Sequence, residues 1–284
     1  MGKVYDALRR AEEQRAQRIQ EATDAGAVPA GAADAAVPTA APLVEPAPRS
    51  EQKLRSKAAE MPSGGAAELN KRRIAILQPE SVAAEQFRTL RARIDAMAAT
   101  RTIRSIAVTS ARRGDGKSTA AISLAAVTAM QPGRRVLLVD CDLRSPCIGA
   151  SLGLRVDAGV AEVLAGSASL EQAVCRADGV DLDVLAVRSL PQNPSELLAS
   201  RGMADLLDSA TSAYDRVVLD LPPTLGLPDA KSASELCDGI VFMVRADHTP
   251  APEVQAAVEI LGRDRIIGLV MNGGTEAAAY GDRA

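Results

Sequence analysis

A short glycine-rich segment contains the residues of this chain that are best suited to chemistry. Residues 111–119 read Ala-Arg-Arg-Gly-Asp-Gly-Lys-Ser-Thr, directly after the apolar run at 106–110 and directly before an apolar helical pattern. A strand, a glycine-rich turn and a helix start bring backbone N–H groups and a helix N-terminus together around one anion. Lys117 is then placed for terminal phosphates and the Ser118 hydroxyl for Mg²⁺. The segment therefore predicts a nucleoside triphosphate site.

This segment departs from the phosphate-loop consensus at one position. The consensus G-x-x-x-x-G-K-[ST] has glycine where this chain has Ala111, which is the smallest available change. We expect the loop to bind ATP through these residues: Arg113, Gly114, Asp115, Gly116, Lys117, Ser118 and Thr119.

Two further apolar strand patterns end in carboxylates. The pattern starting at residue 135 leads to Asp140 and Asp142, and the pattern starting at residue 214 leads to Asp220 and two prolines. Paired carboxylates beside a phosphate loop can hold Mg²⁺ through water and accept a proton from an attacking hydroxyl. The predicted metal residues are Ser118, Asp140 and Asp220, and the predicted catalytic residues are Lys117, Asp140 and Asp142. Which aspartate takes the proton stays open, and a solvated loop start is the alternative for this pair.

The elements that must position these residues alternate along the chain. Strand-like apolar runs occupy 103–110, 135–140, 182–187, 215–220, 239–245 and 265–271, with helical patterns between most of them. Near-continuous Val, Ile and Leu runs alternating with helices indicate a mainly parallel sheet covered on both faces. We therefore expect an α/β P-loop NTPase fold, with ligands beyond the carboxyl ends of the strands.

The composition divides the chain into four parts. Residues 1–20 have the pattern of a short amphipathic helix, which is either a partly formed solvated helix or a docking element. Residues 21–69 are rich in Ala and Pro and predict a disordered linker. Residues 70–273 predict the P-loop domain, beginning with a helix over 81–98, and residues 274–284 predict a flexible tail that contains Tyr280.

Composition also excludes several classes of protein. The net charge of −3 gives no reason to expect a nucleic-acid partner. No apolar stretch reaches the roughly 20 residues of a membrane span, and the N-terminus has no signal-peptide pattern, so we expect a cytoplasmic protein. The four cysteines lack metal-ligand spacing and predict reduced thiols in a core, and the single histidine, His248, predicts a structural role.

The order of the three motifs resembles the bacterial tyrosine kinases of exopolysaccharide and capsule assembly. The motifs are Gly-Asp-Gly-Lys-Ser-Thr, Leu-Leu-Val-Asp-Cys-Asp-Leu-Arg-Ser-Pro and Tyr-Asp-Arg-Val-Val-Leu-Asp-Leu-Pro-Pro, and the resemblance covers about 70–273. The segment Glu85-Gln-Phe-Arg-Thr-Leu-Arg91 is similar to the family's oligomerisation motif. The first twelve residues look like the leader of stand-alone cytoplasmic members that work beside exosortase-linked polysaccharide loci.

The resemblance implies an autokinase that uses ATP and Mg²⁺ and phosphorylates Tyr280 of a neighbouring subunit. It implies a homo-oligomeric ring held through Glu85, Arg88 and Arg91, and an adenine contact from Asn272. It also implies a membrane co-polymerase-like activator, which would keep the kinase at the inner face of the plasma membrane, and a tyrosine phosphatase. A solvated helix with internal ion pairs is the alternative for the Glu85 segment. A turn before the two following glycines is the alternative for Asn272.

Two departures from the family pattern bear on activity. The tail has only Tyr280 where relatives usually have a tyrosine cluster, and Ser145 stands where a basic residue is common. Two other functions therefore stay open at this point. One is a switch ATPase of the division-site and partition type, although those proteins have a lysine near the loop start where this chain has Arg112. The other is an ATP-gated scaffold without catalysis.

Overall fold

Seven strands form one sheet at the centre of residues 66–274, the part of the chain that the computed structural model describes. In sheet order the strands run β3-β4-β2-β5-β1-β6-β7, and every neighbouring pair is parallel except β3 and β4. The bounds are β1 Ser105–Ser110, β2 Val136–Asp140, β3 Cys175–Arg176, β4 Asp183–Leu185, β5 Arg216–Asp220, β6 Gly239–Arg245 and β7 Ile266–Asn272. The predicted mainly parallel sheet is thus confirmed, and each predicted apolar run overlaps an observed strand.

Helices connect the strands and cover both faces of the sheet. Before the sheet come α1 Ala66–Arg72, α2 Ile74–Leu77 and α3 Val82–Ala98, and the phosphate loop leads into α4 Lys117–Ala129. Further along the chain are α5 Ile148–Leu152, α6 Val160–Leu164, α7 Leu170–Ala173, α8 Pro194–Leu198, α9 Arg201–Ala213, α10 Asp229–Glu235 and α11 Ala251–Leu261, with a 3₁₀ turn at Arg263–Arg265.

The buried side chains form two main clusters, one on each face of the sheet. Alternation along β2 places Leu137 and Val139 in one cluster and Leu138 in the other. The second cluster includes much of α4, in which eleven of thirteen residues are buried. Because α4 starts at Lys117, this packing fixes the helix whose N-terminus faces the candidate phosphate site.

The helix predicted over 81–98 is confirmed. Ser81 caps α3 because its hydroxyl accepts a hydrogen bond from the Ala84 backbone N–H at 3.2 Å. Ile94 is buried and Phe87 is half-buried against the same core, so the predicted apolar face is the face that packs.

The first described helix begins before the boundary of the P-loop domain that composition predicts. Helix α1 begins at Ala66 and so includes residues 66–69 of the predicted linker, and it packs against α4 and α5. The short strand β3 was also missed, since two residues give no periodicity. The predicted helix at 1–20, the rest of the linker and Tyr280 lie outside the described residues. Within 66–274, no helix is long and apolar enough to cross a bilayer.

Candidate active site

The glycine-rich loop turns tightly between β1 and α4. Gly114 and Gly116 have φ values of +88° and +100°, a region that favours glycine. At Gly116 a Cβ atom would lie 2.3 Å from the Asn272 side-chain nitrogen, so only glycine fits there. This conformation leaves Gly116 at the N-cap of α4 and directs the first N–H groups of the helix outward, as anion binding requires.

Asp115 holds the loop in this conformation from within the protein. Its buried carboxylate accepts hydrogen bonds from the Arg112 backbone N–H at 3.0 Å and from the Thr249 hydroxyl at 2.7 Å. The Asn272 side chain donates to the Asp115 carbonyl at 3.0 Å, and Arg245 donates to the Gly114 carbonyl at 3.2 Å. The Asp115 side chain therefore braces the loop, which leaves its backbone N–H for nucleotide binding. The predicted adenine contact of Asn272 stays a prediction.

Two buried carboxylates meet below the loop at the ends of adjacent strands. Asp140 ends β2 and Asp220 ends β5, and the two residues are register partners in the sheet. Asp140 Oδ2 accepts hydrogen bonds from the N–H groups of Cys147 at 3.1 Å and Ile148 at 3.0 Å. Asp140 Oδ1 and both carboxylate oxygens of Asp220 are buried without a hydrogen-bond partner among the described residues.

The acidity of these carboxyls reflects burial. Burial raises the pKa of Asp140 to about 8, and the charges of Asp220 and Asp142 add to the rise while two backbone N–H groups oppose it. Burial likewise raises the pKa of Asp220 to about 6, against the attraction of Lys117 and the Ser118 hydroxyl. Negative charge on these three buried, unpaired oxygens would be stabilised by a bound cation.

These residues fit the magnesium site predicted from Ser118, Asp140 and Asp220. Among the described residues, no three His, Cys, Asp or Glu side chains form a self-sufficient metal cluster. Magnesium in nucleotide sites takes one or two carboxylates and completes its coordination with water and substrate phosphates, so the smaller set is the expected one.

A cavity of about 380 Å³ opens beside the loop. Its wall includes six of the predicted loop residues and one predicted catalytic aspartate: Arg113, Gly114, Gly116, Lys117, Ser118, Thr119 and Asp142. Leu69 and Arg72 of α1 also line it, and sequence reasoning missed both because they lie outside every motif. Arg72 is close enough to the carboxylates for its charge to lower the pKa of Asp220.

The loop after β2, which includes Asp142, is clamped by Arg144. Arg144 donates to the Asp229 carboxylate at 2.7 Å and to the Ser195 hydroxyl at 2.8 Å, and Ser195 donates to the same buried carboxylate at 2.5 Å. Within the loop, the Ser145 backbone N–H donates to Asp142 at 3.1 Å. These contacts fix the aspartate at the cavity wall.

The predicted oligomerisation residues make contacts within their own chain. Arg88 pairs with Glu85 at 2.8 Å, as the solvated-helix alternative expected. Arg91 donates to the Val127 carbonyl at 2.8 Å, and so ties α3 to α4. A role for Glu85, Arg88 and Arg91 between subunits stays a prediction.

The chain is similar over most of its length to proteins of known family. A family model described as an AAA domain matches residues 103–248. The chain is 39% identical over 202 residues to the tyrosine-protein kinase YwqD of Bacillus subtilis strain 168, covering 70% of this chain and 85% of that protein. It is 34% identical over 205 residues to the succinoglycan biosynthesis transport protein ExoP of Rhizobium meliloti strain 1021, covering 70% of this chain.

The match to ExoP spans only 26% of that longer protein. Among solved structures, the chimerical protein CapA2B2 is 32% identical with a TM-score of 0.66. That alignment covers 70% of this chain and 88% of the other. Most of this chain is thus similar in sequence to a protein that is named a tyrosine kinase.

Proposed function

This chain belongs to the family of bacterial tyrosine-protein kinases, and we propose that it is an ATP-dependent protein-tyrosine autokinase that regulates synthesis and export of an exopolysaccharide or capsular polysaccharide. The observation that carries the proposal is the placement of Asp140 and Asp220. Both end buried strands beside the phosphate loop, and their unpaired oxygens are of the kind that bind a divalent cation. Phosphoryl transfer depends on such positioned charges more than on covalent chemistry by the protein.

The nucleotide is held by the loop amides, with Lys117 on the terminal phosphates. Arg113 and Thr119 line the same cavity and extend the polar wall. Ser118, Asp140 and Asp220 hold Mg²⁺, which when bound neutralises charge on the phosphates. The adenine contact is assigned to Asn272.

Asp142 is the group that we assign to take the proton from the acceptor tyrosine. It lines the cavity, whereas Asp140 is fully buried and its Oδ2 is engaged by two backbone N–H groups. A tyrosine hydroxyl has an ordinary pKa near 10 and is a poor nucleophile until a base accepts its proton. The tyrosine oxygen then bonds to the γ-phosphorus as the bond to ADP breaks.

The acceptor in this proposal is Tyr280 of a neighbouring subunit. The subunits form a ring through Glu85, Arg88 and Arg91, and a membrane co-polymerase-like protein supplies the activating contact at the inner face of the plasma membrane. A tyrosine phosphatase reverses the modification. Support comes from the family, whose members named for polysaccharide assembly include ExoP.

The experiment is mass spectrometry of phosphotyrosine in the purified protein after incubation with ATP and Mg²⁺. We expect phosphotyrosine in the wild type and none in Lys117→Met, because the lysine contacts phosphate. Lys71→Met is the matched control, since Lys71 is exposed and makes no side-chain contact among the described residues. A wild type that hydrolyses ATP without modifying tyrosine would instead support the switch ATPase. A wild type that binds ATP but neither hydrolyses it nor modifies tyrosine would support the scaffold.

A further inference from the structure

Helix α1 brings a cation into the phosphate cavity from outside the matched domain. The family match begins at residue 103, whereas α1 ends at Arg72. The helix packs on α4 and α5, and this packing places Arg72 in the cavity wall together with Arg113 and Lys117. Asp142 is the one carboxylate in that wall. The cavity therefore has an excess of positive charge.

Arg72 has little else to bind. Its single side-chain hydrogen bond among the described residues is a long one, 3.4 Å from Nη1 to the Ser151 hydroxyl, and no described carboxylate lies within ion-pair distance. A guanidinium group carries five N–H donors and matches the oxygens of a phosphate group. Most of its donors are thus available to a ligand in the cavity.

We propose that Arg72 is a catalytic residue, which binds the γ-phosphoryl group of ATP in its own chain. The inference rests on the proposed function, because it deepens the same phosphoryl transfer. During transfer the tyrosine oxygen bonds to the γ-phosphorus, the bond to the β–γ bridging oxygen breaks, and negative charge spreads over the three equatorial oxygens. The Arg72 guanidinium stabilises that charge through charge-assisted hydrogen bonds.

A purely structural arginine would behave differently. If Arg72 served only to anchor α1 on α5, then its loss would be equivalent to loss of the Ser151 hydroxyl that it touches. Loss of a purely structural arginine would also weaken the binding of ATP and ADP to the same extent. A residue that binds the γ-phosphoryl group affects ATP and not ADP, because ADP lacks that group.

The experiment measures ATP and ADP dissociation constants by titration calorimetry with Mg²⁺, using the full chain. The variants are Arg72→Ala, Arg72→Lys and Ser151→Ala, with Lys71→Ala as the control on the same helix. Thermal melting confirms that each is folded. We expect Arg72→Ala to weaken ATP binding about tenfold or more, as loss of a charge-assisted contact predicts, and to leave ADP binding within about twofold. Arg72→Lys recovers part of the loss, and the other two variants bind both nucleotides normally.

Transfer to tyrosine gives the second readout. An arginine on the transferring group accounts for about 10³ or more in rate in related phosphoryl transfers, so Arg72→Ala is expected to lose most phosphotyrosine formation. Equal loss of ATP and ADP affinity, the same loss in Ser151→Ala, or faster transfer in Arg72→Ala would overturn the proposal. If the wild type forms no phosphotyrosine, the proposed function fails, yet the ratio of ATP to ADP affinity still tests the contact.

Discussion

The side chain of Asn272 donates a hydrogen bond to the main-chain carbonyl of Asp115 at 3.0 Å, so the last strand of the sheet supports the phosphate loop directly. Thr249, which follows β6, donates to the Asp115 carboxylate at 2.7 Å. Residues at and after the carboxyl ends of β6 and β7 therefore hold the loop through hydrogen bonds within the protein. Such preorganisation reduces the entropy that nucleotide binding must overcome.

Removal of the Asp115 carboxylate is expected to weaken nucleotide binding. Asp115→Ala leaves the Thr249 hydroxyl and a loop N–H without their partner, and a lost buried contact of this kind costs about 1–3 kcal/mol. We expect about tenfold weaker ATP binding and a lower Tm, measured by calorimetry and thermal melting. Asp178→Ala, at an exposed position, is the control. Unchanged ATP affinity in Asp115→Ala would show that the hydrogen bonds to the Asp115 carboxylate are not needed for nucleotide binding.

The Arg144 clamp predicts an effect on catalysis more than on binding. Arg144→Ala frees the Asp142 loop from Asp229 and Ser195, so the proposed base loses its fixed position. We expect kcat for phosphotyrosine formation to fall by about 10–100-fold with the ATP dissociation constant nearly unchanged. The control is Arg201→Ala, whose side chain is 93% exposed. Parallel loss of ATP affinity and kcat would point instead to a folding defect.

Sequence was sufficient where a short segment determined the local structure. The strand and helix that flank residues 111–116, the strands that end at residues 140 and 220, and the helix at 82–98 all have a turn or capping residue beside an apolar pattern. The structure has these elements where they are predicted. The alternation of strand and helix patterns was likewise enough to predict a parallel sheet.

The missed features depend on contacts between distant positions. Arg144 and Asp229 are 85 residues apart, and Asn272 and Asp115 are 157 apart, so no local pattern connects them. Arg72 reaches the cavity only because α1 packs on α4 and α5. The polar composition of the preceding segment gives no sign of these tertiary contacts. The same packing explains why helix α1 includes residues before position 70.

Charge at Asp140 is expected to lower the stability of the metal-free domain. Its folded pKa of about 8 lies above the ordinary 3.8, so the folded state favours the neutral carboxyl. The stabilisation is complete below pH 3.8 and is lost as the pH rises to about 8. Asp140→Asn keeps the shape without the charge. In EDTA, Asp140→Asn should have a higher Tm than the wild type, and this difference should grow to several degrees as the pH rises from 3.8 to about 8.

With Mg²⁺ and ATP present, the wild type should have a higher Tm than Asp140→Asn. The wild type gains a bound cation, whereas the variant has lost a ligand for it. Melting curves at several pH values, with and without Mg·ATP, test both halves of the prediction. Asp178→Asn should show no pH-dependent difference from the wild type. A variant that is less stable than the wild type in EDTA at pH 8 would contradict the assignment of a destabilising buried charge.

The two arginines of the predicted oligomerisation motif are expected to differ in how much each contributes to the stability of the subunit. Arg88 pairs with an exposed glutamate on its own helix, whereas Arg91 donates to a carbonyl of α4. Arg88→Ala should therefore yield monomers in analytical ultracentrifugation with little change in Tm, since exposed pairs of this kind contribute about 0.2–0.5 kcal/mol. Arg91→Ala should yield monomers and also lower the Tm. Unchanged oligomers in the double variant would exclude the ring contact.

The choice of acceptor tyrosine gives the last prediction. Tyr214 precedes β5, so it lies at the amino ends of the strands, opposite the phosphate loop at their carboxyl ends. Its hydroxyl donates to Asp183 at 3.0 Å, and burial together with this bond raises the pKa of Tyr214 to about 12. Both features disfavour its phosphorylation. Tyr280 lies eight residues after Asn272, and at roughly 3.3–3.6 Å per residue a fully extended segment of that length spans at most about 29 Å.

We therefore expect Tyr280→Phe to remove most phosphotyrosine and leave assembly intact. Tyr214→Phe should retain phosphotyrosine and lose the transition near pH 12 in a tyrosinate absorbance titration, because Tyr214 has the raised pKa. Quantitative mass spectrometry of both variants provides the comparison, and the ATP dissociation constant confirms that each nucleotide site is intact. Abundant phosphate on Tyr5 or Tyr214 in Tyr280→Phe would contradict transfer to the tail of a neighbouring subunit.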